Sequence, residues 1–158
     1  MSFYRFLASD NELDGYDNTG IEYLTFEEAV TKGYHTNELW NDLADDSSVM
    51  VFEDENKINN LRVVNQKSGI LEFQYTKKEN VAVLEVGFDE CRSAEIINYI
   101  KTQIEKAQEI ELWVLLLDQD SKVIRKTITI EMLNHDVLKE YFVYDFGEYP
   151  RCLTITNK

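Results

Sequence analysis

Residues 112–117 constrain the fold more than any other segment, because they form an uninterrupted apolar run, Leu-Trp-Val-Leu-Leu-Leu. A strand that is apolar on both alternating faces belongs in the middle of a sheet that is covered on both sides. A membrane-spanning helix needs roughly 20 apolar residues, many more than this run provides. The run therefore predicts a buried central strand.

Two amphipathic helices are predicted, one before this strand in the sequence, at about 91–107, and one after it, at about 131–142. The first carries its apolar side chains at helical spacing. Its stripe is formed by Ile97, Ile100 and Ile104. In the second helix the side chains expected to point inward are Leu133, Val137, Leu138 and Tyr141.

A third, shorter helix is predicted from a capping box in the first part of the chain. Thr25 and Glu28 have the spacing at which each side chain bonds the backbone N–H of the other residue. Gly33 is placed to end this helix, since glycine readily adopts the left-handed conformation of helix ends.

Short apolar or alternating runs predict the remaining strands. They lie at 3–8, 49–52, 61–65, 70–76, 81–88, 123–130 and 152–156. In one of them Leu71, Phe73 and Tyr75 alternate with polar residues, which is the period of a half-buried strand. We expect residues 77–80 to join this strand to the next one as a hairpin.

The mixture of strand runs and single helices predicts an α+β fold, with a mainly antiparallel mixed sheet and about three helices packed on it. A turn at 118–122 should bring 123–130 back as a partner of the central strand. The length predicts one domain over residues 1–158, comprising an acidic, loop-rich part at 1–60 and a balanced strand–helix body at 61–158.

The net charge of −14 is unevenly distributed along the chain. Residues 1–60 contain 14 acids and three bases, whereas residues 61–158 contain 16 acids and 13 bases. A one-sign field attracts basic proteins or cations and repels nucleic acid and anionic lipid. The composition therefore favours a basic protein partner and disfavours binding to nucleic acid or to a membrane.

One acidic segment resembles the start of a calcium-binding loop. Asp10, Glu12 and Asp14 alternate before Gly15, the spacing at which carboxylates converge on a cation. With Asp17 they form the candidate metal site, but Ile21 stands where the bidentate glutamate is expected. A solvated polar loop is the alternative interpretation.

A second group of acids lies further along the chain. It comprises Asp42, Asp45, Asp46, Glu53, Asp54 and Glu55. We treat these six residues as a candidate docking surface for a basic protein, with a solvated acidic surface and paired catalytic carboxylates as the alternatives.

No residue is assigned a catalytic role, and no cofactor is predicted. The chain lacks the glycine-rich nucleotide motifs, the serine-hydrolase elbow and the HExxH motif. His35 and His135 are isolated, which makes zinc binding improbable, and a dyad of Cys91 with His135 is the one nucleophilic arrangement left open. Cys91 and Cys152 form no CxxC motif and are expected to be reduced.

Several segments resemble small acidic uncharacterised proteins of Gram-positive bacteria. They are Phe6-Leu7-Ala8, Asp17-Asn18-Thr19-Gly20, Leu24-Thr25-Phe26-Glu27-Glu28-Ala29 and Glu109-Ile110-Glu111-Leu112-Trp113. The resemblance implies a bacterial cytoplasmic setting and brings no catalytic residues with it.

The function we expect is therefore a non-enzymatic, intracellular protein-interaction domain that presents an acidic surface to a basic partner. The first residues lack the apolar segment of a signal peptide, which favours the cytoplasm. The alternatives are a cation- or small-molecule-binding protein that uses the 10–17 loop, and an enzyme of unrecognised type.

Overall fold

The computed structural model describes residues 3–34, 38–66, 72–117, 122–143 and 147–158. The chain divides into two compact units. The large unit comprises Met1–Asp17 and Asn60–Lys158, and the small unit comprises Asn18–Asn59. That residues 1–158 form a single domain remains a prediction.

Nine strands lie within the described ranges. They are β1 (Phe3–Ser9), β2 (Tyr16–Asp17), β3 (Ile21–Thr25), β4 (Ser48–Phe52), β5 (Arg62–Gln66), β6 (Asn80–Glu85), β7 (Glu109–Leu116), β8 (Ile124–Thr129) and β9 (Arg151–Thr156). The same ranges contain the helices α1 (Phe26–Thr31), α2 (Glu90–Ala107) and α3 (His135–Phe142). None of these helices combines the length and apolar character needed to cross a membrane.

The large unit is built on a seven-stranded sheet with the order β2-β5-β6-β1-β7-β9-β8. All neighbouring strands are antiparallel except β8 and β9, which are parallel. The predicted α+β class and the mainly antiparallel mixed sheet are confirmed. Of the three helices, α2 and α3 belong to this unit and α1 to the small unit.

Strand β7 is buried between β1 and β9, as the apolar run predicts. Trp113 lies opposite Phe6 on one neighbour and opposite Cys152 on the other. One face of the sheet packs with α2 and α3 into the main core, where Ile100, Leu112 and Leu138 are fully buried. The other face carries a second buried cluster, formed by Phe6, Ala8, Val81, Trp113, Leu115 and Cys152.

Both long helices begin at a side chain that caps their first turn. Asp89 accepts a hydrogen bond from Arg92 N at the start of α2, and Asn134 accepts one from Val137 N at the start of α3. Asn134 therefore sets the start of α3 at His135 and not at the predicted residue 131, and Ile130–Met132 form a separate 3₁₀ turn before it.

The small unit consists of the two-stranded β3–β4 sheet and α1. The predicted capping box is confirmed, with Thr25 Oγ1 accepting from Glu28 N at 3.2 Å and Glu28 Oε2 accepting from Thr25 N at 2.9 Å. Gly33 follows the helix with a φ of +88°, a left-handed conformation that costs glycine little. The core of the small unit is formed by Ala29, Val49 and Val51.

The strand predicted at 70–76 is wrong, because Glu72–Gln74 form a 3₁₀ turn; Leu71 lies outside the described residues. The predicted alternation holds for Gln74, which is exposed, and for Tyr75, which packs against the second buried cluster, but it fails at the other described positions. Glu72 and Thr76 are buried, whereas Phe73 is exposed. The side chains of Glu72 and Thr76 form hydrogen bonds to Tyr4 and Glu111, and the strand that pairs with β6 is β5.

The pairing predicted for 123–130 is also wrong, because β8 pairs with β9 and not with β7. Strand β9 takes the inner position with Leu153 and Ile155 fully buried. In contrast, four of the six residues of β8 are exposed. The more apolar strand lies inside and the polar strand forms the edge, where charged side chains discourage pairing with other chains. Most of the predicted turn, 118–121, lies outside the described residues.

Candidate functional site

The four candidate metal ligands lie in the large unit, and three of them form ion pairs with different basic residues. Asp10 contacts Lys78 Nζ at 2.8 Å, Asp14 contacts Lys106 Nζ at 2.7 Å and Asp17 contacts Arg62 Nε at 3.5 Å. Nowhere in the described ranges do three or more His, Cys, Asp or Glu side chains form a group that could hold a metal ion. The structure thus separates the carboxylates that the calcium hypothesis requires to converge.

Asp14 attaches its loop to helix α2 through several atoms. Its backbone N–H donates to Gln103 Oε1 at 2.9 Å, and its carboxylate accepts from Gln103 Nε2 at 3.1 Å. The hydroxyl of Tyr99 donates to the Asp14 carbonyl oxygen at 2.6 Å. The hydrogen bond from Lys106, followed by that from Gln103, lowers the pKa of the Asp14 carboxyl. These contacts give Asp14 a structural role.

Lys78 similarly joins the 10–17 loop to the sheet. Its ammonium contacts Asp10 at 2.8 Å and Glu109 at 2.7 Å. Although burial opposes its charged form, the hydrogen bonds to these two carboxylates raise the pKa of Lys78. The acidity of this part of the chain is therefore largely neutralised within the fold.

All six candidate partner-binding residues lie in the small unit. Asp42, Asp45 and Asp46 are exposed between α1 and β4, and Glu53 and Glu55 are exposed after β4. Asp54 is half-buried, and its carboxylate accepts from Asn56 N at 2.9 Å to cap the 3₁₀ turn Glu55–Lys57. Asp54 thus has a local structural role, which distinguishes it from the other five.

These acids remain without basic partners inside the described structure. The small unit contains ten acids and two bases, Lys32 and Lys57, for a net charge of −8. Lys32 is paired with Glu22 at 2.8 Å, a hydrogen bond that raises the pKa of the Lys32 ammonium. Among the described residues, none of the six candidates takes part in an ion pair.

An apolar surface lies on the outer face of the small sheet, and the sequence-based reasoning missed it. The register places Tyr23 opposite Met50 and Ile21 opposite Phe52, on the face away from Val49 and Val51. The exposed fractions are 61% for Tyr23, 48% for Met50 and 36% for Phe52. The apolar residues at every position from 49 to 52 could have signalled it, since alternate residues must face outward.

The Cys91–His135 pair shows no hydrogen bond between its members in the described ranges, and His135 instead contacts a serine. His135 Nδ1 lies 2.8 Å from Ser93 Oγ, and that hydroxyl donates to the Glu90 carbonyl oxygen at 2.8 Å. The hydrogen bond between His135 and Ser93 links α3 to α2. His35 lies outside the described residues.

The two cysteines are free thiols in different environments. Cys91 is exposed and Cys152 is buried. Burial, followed by the negative charge of Glu111, raises the pKa of Cys152 to about 12. A thiol of this kind is unreactive at neutral pH, because the thiolate is the nucleophile.

Two buried glutamates form a polar network on the sheet face opposite the main core. Glu111 Oε2 accepts from Thr76 Oγ1 at 2.6 Å and from Trp113 Nε1 at 2.7 Å, while Glu72 accepts from the Tyr4 hydroxyl. The network holds the 3₁₀ segment on the sheet. Sequence patterns did not reveal it, since an isolated glutamate in a strand ordinarily faces solvent.

No protein-family model, curated protein or solved structure matches the chain. The resemblance to small acidic proteins of Gram-positive bacteria stays a prediction.

Proposed function

We propose that this protein is a non-enzymatic interaction domain whose small unit presents its unpaired acids to a basic protein. The observation that supports it is the contrast between two acidic groups. Asp10, Asp14 and Asp17 each have a basic partner within the fold, whereas Asp45, Asp46 and Glu53 have none among the described residues.

The distribution of charge favours the small unit over the rest of the molecule. The small unit carries −8 on 42 residues, whereas the large unit carries −6 on 116 residues. A concentrated field of one sign accelerates encounter with an oppositely charged partner and repels wrong ones.

Contacts within the described structure account for only a minority of the acids of the small unit. Among the acids of the small unit, the described ranges show helix-capping hydrogen bonds for Glu28 and Asp54 alone, and an ion pair for Glu22. Neighbouring carboxylates without partners repel one another and destabilise a compact state. A partner with complementary charge would remove that repulsion, which is a physical reason for the acids to be retained at a binding surface.

The proposal is tested by neutralising three of the unpaired acids in the variant D45N/D46N/E53Q. The immobilised protein is incubated with bacterial lysate, captured basic proteins are identified, and their association rates are measured at low and high salt. We expect the variant to associate about tenfold more slowly at low salt, and the difference to shrink at salt concentrations of about 0.5 M.

The matched control is E105Q/E131Q/E148Q, which changes the net charge equally at exposed acids of the large unit. Asp54 is left unchanged because its carboxylate caps a turn. If both triple variants slowed association equally, total charge rather than the small unit would be responsible. The proposal would be contradicted if the association rate of the captured protein changed neither with salt nor in the small-unit variant.

A cleft in the large unit supports a second candidate function, the binding of a small cationic molecule. It is lined by Glu12, Asn65, Gln66, Phe73, Glu79, Asn80 and Val81. Glu12 is the one candidate metal ligand for which the described residues show no ion pair. Thermal unfolding with calcium, spermidine or arginine tests this function, since a ligand of the folded state raises the melting temperature.

A further inference from the structure

We propose that the outer face of the small sheet binds the apolar side chains of a basic, extended protein segment whose lysines or arginines meet the acids at both ends of β4. This inference rests on the proposed function and specifies the chemistry of the partner. It joins two features of the small unit, the exposed apolar side chains of its sheet and the unpaired acids that flank β4 in the sequence.

The apolar part of the surface is continuous across both strands. Tyr23 and Met50 are direct neighbours across the sheet, and Ile21 and Phe52 form the adjacent pair on the same face. The opposite face of this sheet already contributes Val49 and Val51 to the small core. The outer face therefore has no role in the described core of its own unit, although exposing apolar area costs about 25 cal/mol per Å².

The acids lie immediately before and after the strand that contributes half of this face. Asp45 and Asp46 precede β4, and Glu53 and Glu55 follow it. A five-residue strand spans roughly 17 Å, and the two acidic groups flank this strand in the sequence. An apolar centre with a polar or charged rim is the usual anatomy of a protein–protein interface.

Charge decides which occupant fits this surface. A second copy of the chain would bring another small unit of charge −8 to the same face, and the large unit also carries a net negative charge, −6. Both would add like-charge repulsion at the rim. A segment with apolar side chains between basic ends satisfies the whole surface and gains from steering during association.

An extended segment suits the geometry because the sheet has only two strands. Each strand of the β3–β4 pair has a ladder partner on one side only in the described sheet. A partner chain can lay alternate side chains across the apolar face or add a strand at a free edge, as in β-augmentation. In both arrangements the basic ends reach the acids, since strand residues repeat at about 3.3 Å.

The inference is tested with three labelled peptides of about nine residues each, compared by fluorescence anisotropy in about 50 mM NaCl. The first has two lysines at each end and a centre of alternating valine and threonine. The second replaces each valine with serine, and the third replaces each lysine with glutamate. We expect the first peptide to bind about tenfold more tightly than the second, and the third not to bind.

Variants of the protein test whether the peptides bind at the outer face of the small sheet. Y23T/M50T should remove the advantage of the valine peptide over the serine peptide, whereas V30A, a change at another exposed apolar residue of the small unit, should retain it. D45N/D46N/E53Q should weaken both basic peptides. Circular dichroism confirms that each variant is folded, as expected for exposed positions.

The outcomes separate this inference from the proposed function. Equal binding of the two basic peptides, weakened by the acid variant, would overturn the inference and leave the proposed function supported. Binding by the glutamate peptide, or a dimer that Y23T/M50T dissociates in sedimentation velocity, would identify a different occupant and overturn it. Failure of the valine–lysine peptide to bind would also overturn it, while partner capture tests the proposed function independently.

Discussion

The Thr76 hydroxyl donates a 2.6 Å hydrogen bond to Oε2 of Glu111, a buried carboxylate on strand β7. The same oxygen accepts from the indole of Trp113, whose side chain is fully buried. One carboxylate therefore satisfies two donors that have little access to water, and it fixes the 3₁₀ segment to the sheet. A buried donor that loses its acceptor destabilises the folded state, because its removal from water is no longer offset by a hydrogen bond.

This relationship predicts that E111A lowers the free energy of unfolding by about 3 kcal/mol, since two donors lose their charged acceptor. E109A provides the control on the same strand, where Glu109 forms a more exposed ion pair with Lys78. Its loss should cost less than about 1 kcal/mol. Urea unfolding followed by Trp fluorescence measures both, and equal losses would refute the role assigned to Glu111.

The lowered pKa of Asp14 predicts a pH-dependent contribution to stability. A carboxyl whose pKa is lower in the folded state, here below its ordinary 3.8, stabilises the protein at neutral pH. That contribution is lost as the pH falls through the folded-state pKa. D14N should therefore be less stable than the unmodified protein at neutral pH, and the difference should shrink at acid pH.

Urea midpoints measured between about pH 7 and pH 3 test this prediction, with E105Q as the control. Glu105 is exposed on the same helix that Asp14 contacts, and no ion pair to it occurs in the described ranges. A stability difference for D14N that stays constant over this pH range would show that the charge of Asp14 is not responsible.

The environments of the two thiols predict selective labelling. Cys91 is exposed, whereas Cys152 is buried with a pKa raised to about 12. Ellman's reagent should modify one thiol in the native protein and both after denaturation. The C91S variant should show no fast reaction, and labelling of native C91S at the rate of the unmodified protein would contradict the burial of Cys152.

The capping box predicts that T25A destabilises the small unit by about 1 kcal/mol, because the N–H of Glu28 loses its side-chain acceptor. Hydrogen exchange of the amides in α1 should accelerate correspondingly. E27Q provides the control, since Glu27 lies in the same first turn but is not a member of the box. If the two variants exchanged at equal rates, the reciprocal hydrogen bonds would not be what stabilises α1.

Local sequence signals determined much of the secondary structure. The capping box of Thr25 and Glu28 predicted α1, the spacing of apolar residues predicted α2, and the apolar run predicted β7 as a buried strand. Each signal succeeds because it depends on residues within one or two turns of one another, or on the two faces of a single strand.

The tertiary structure decided what depends on distant residues. The acids Asp10 and Asp14 are neutralised by Lys78 and Lys106, which are 68 and 92 positions away, so no local pattern could distinguish them from a cation site. Glu72 turns inward because Tyr4 lies beneath it. The sequence by itself determined that the first part of the chain is acidic; only the fold determined which acids lack a partner, because ion pairing depends on proximity in space.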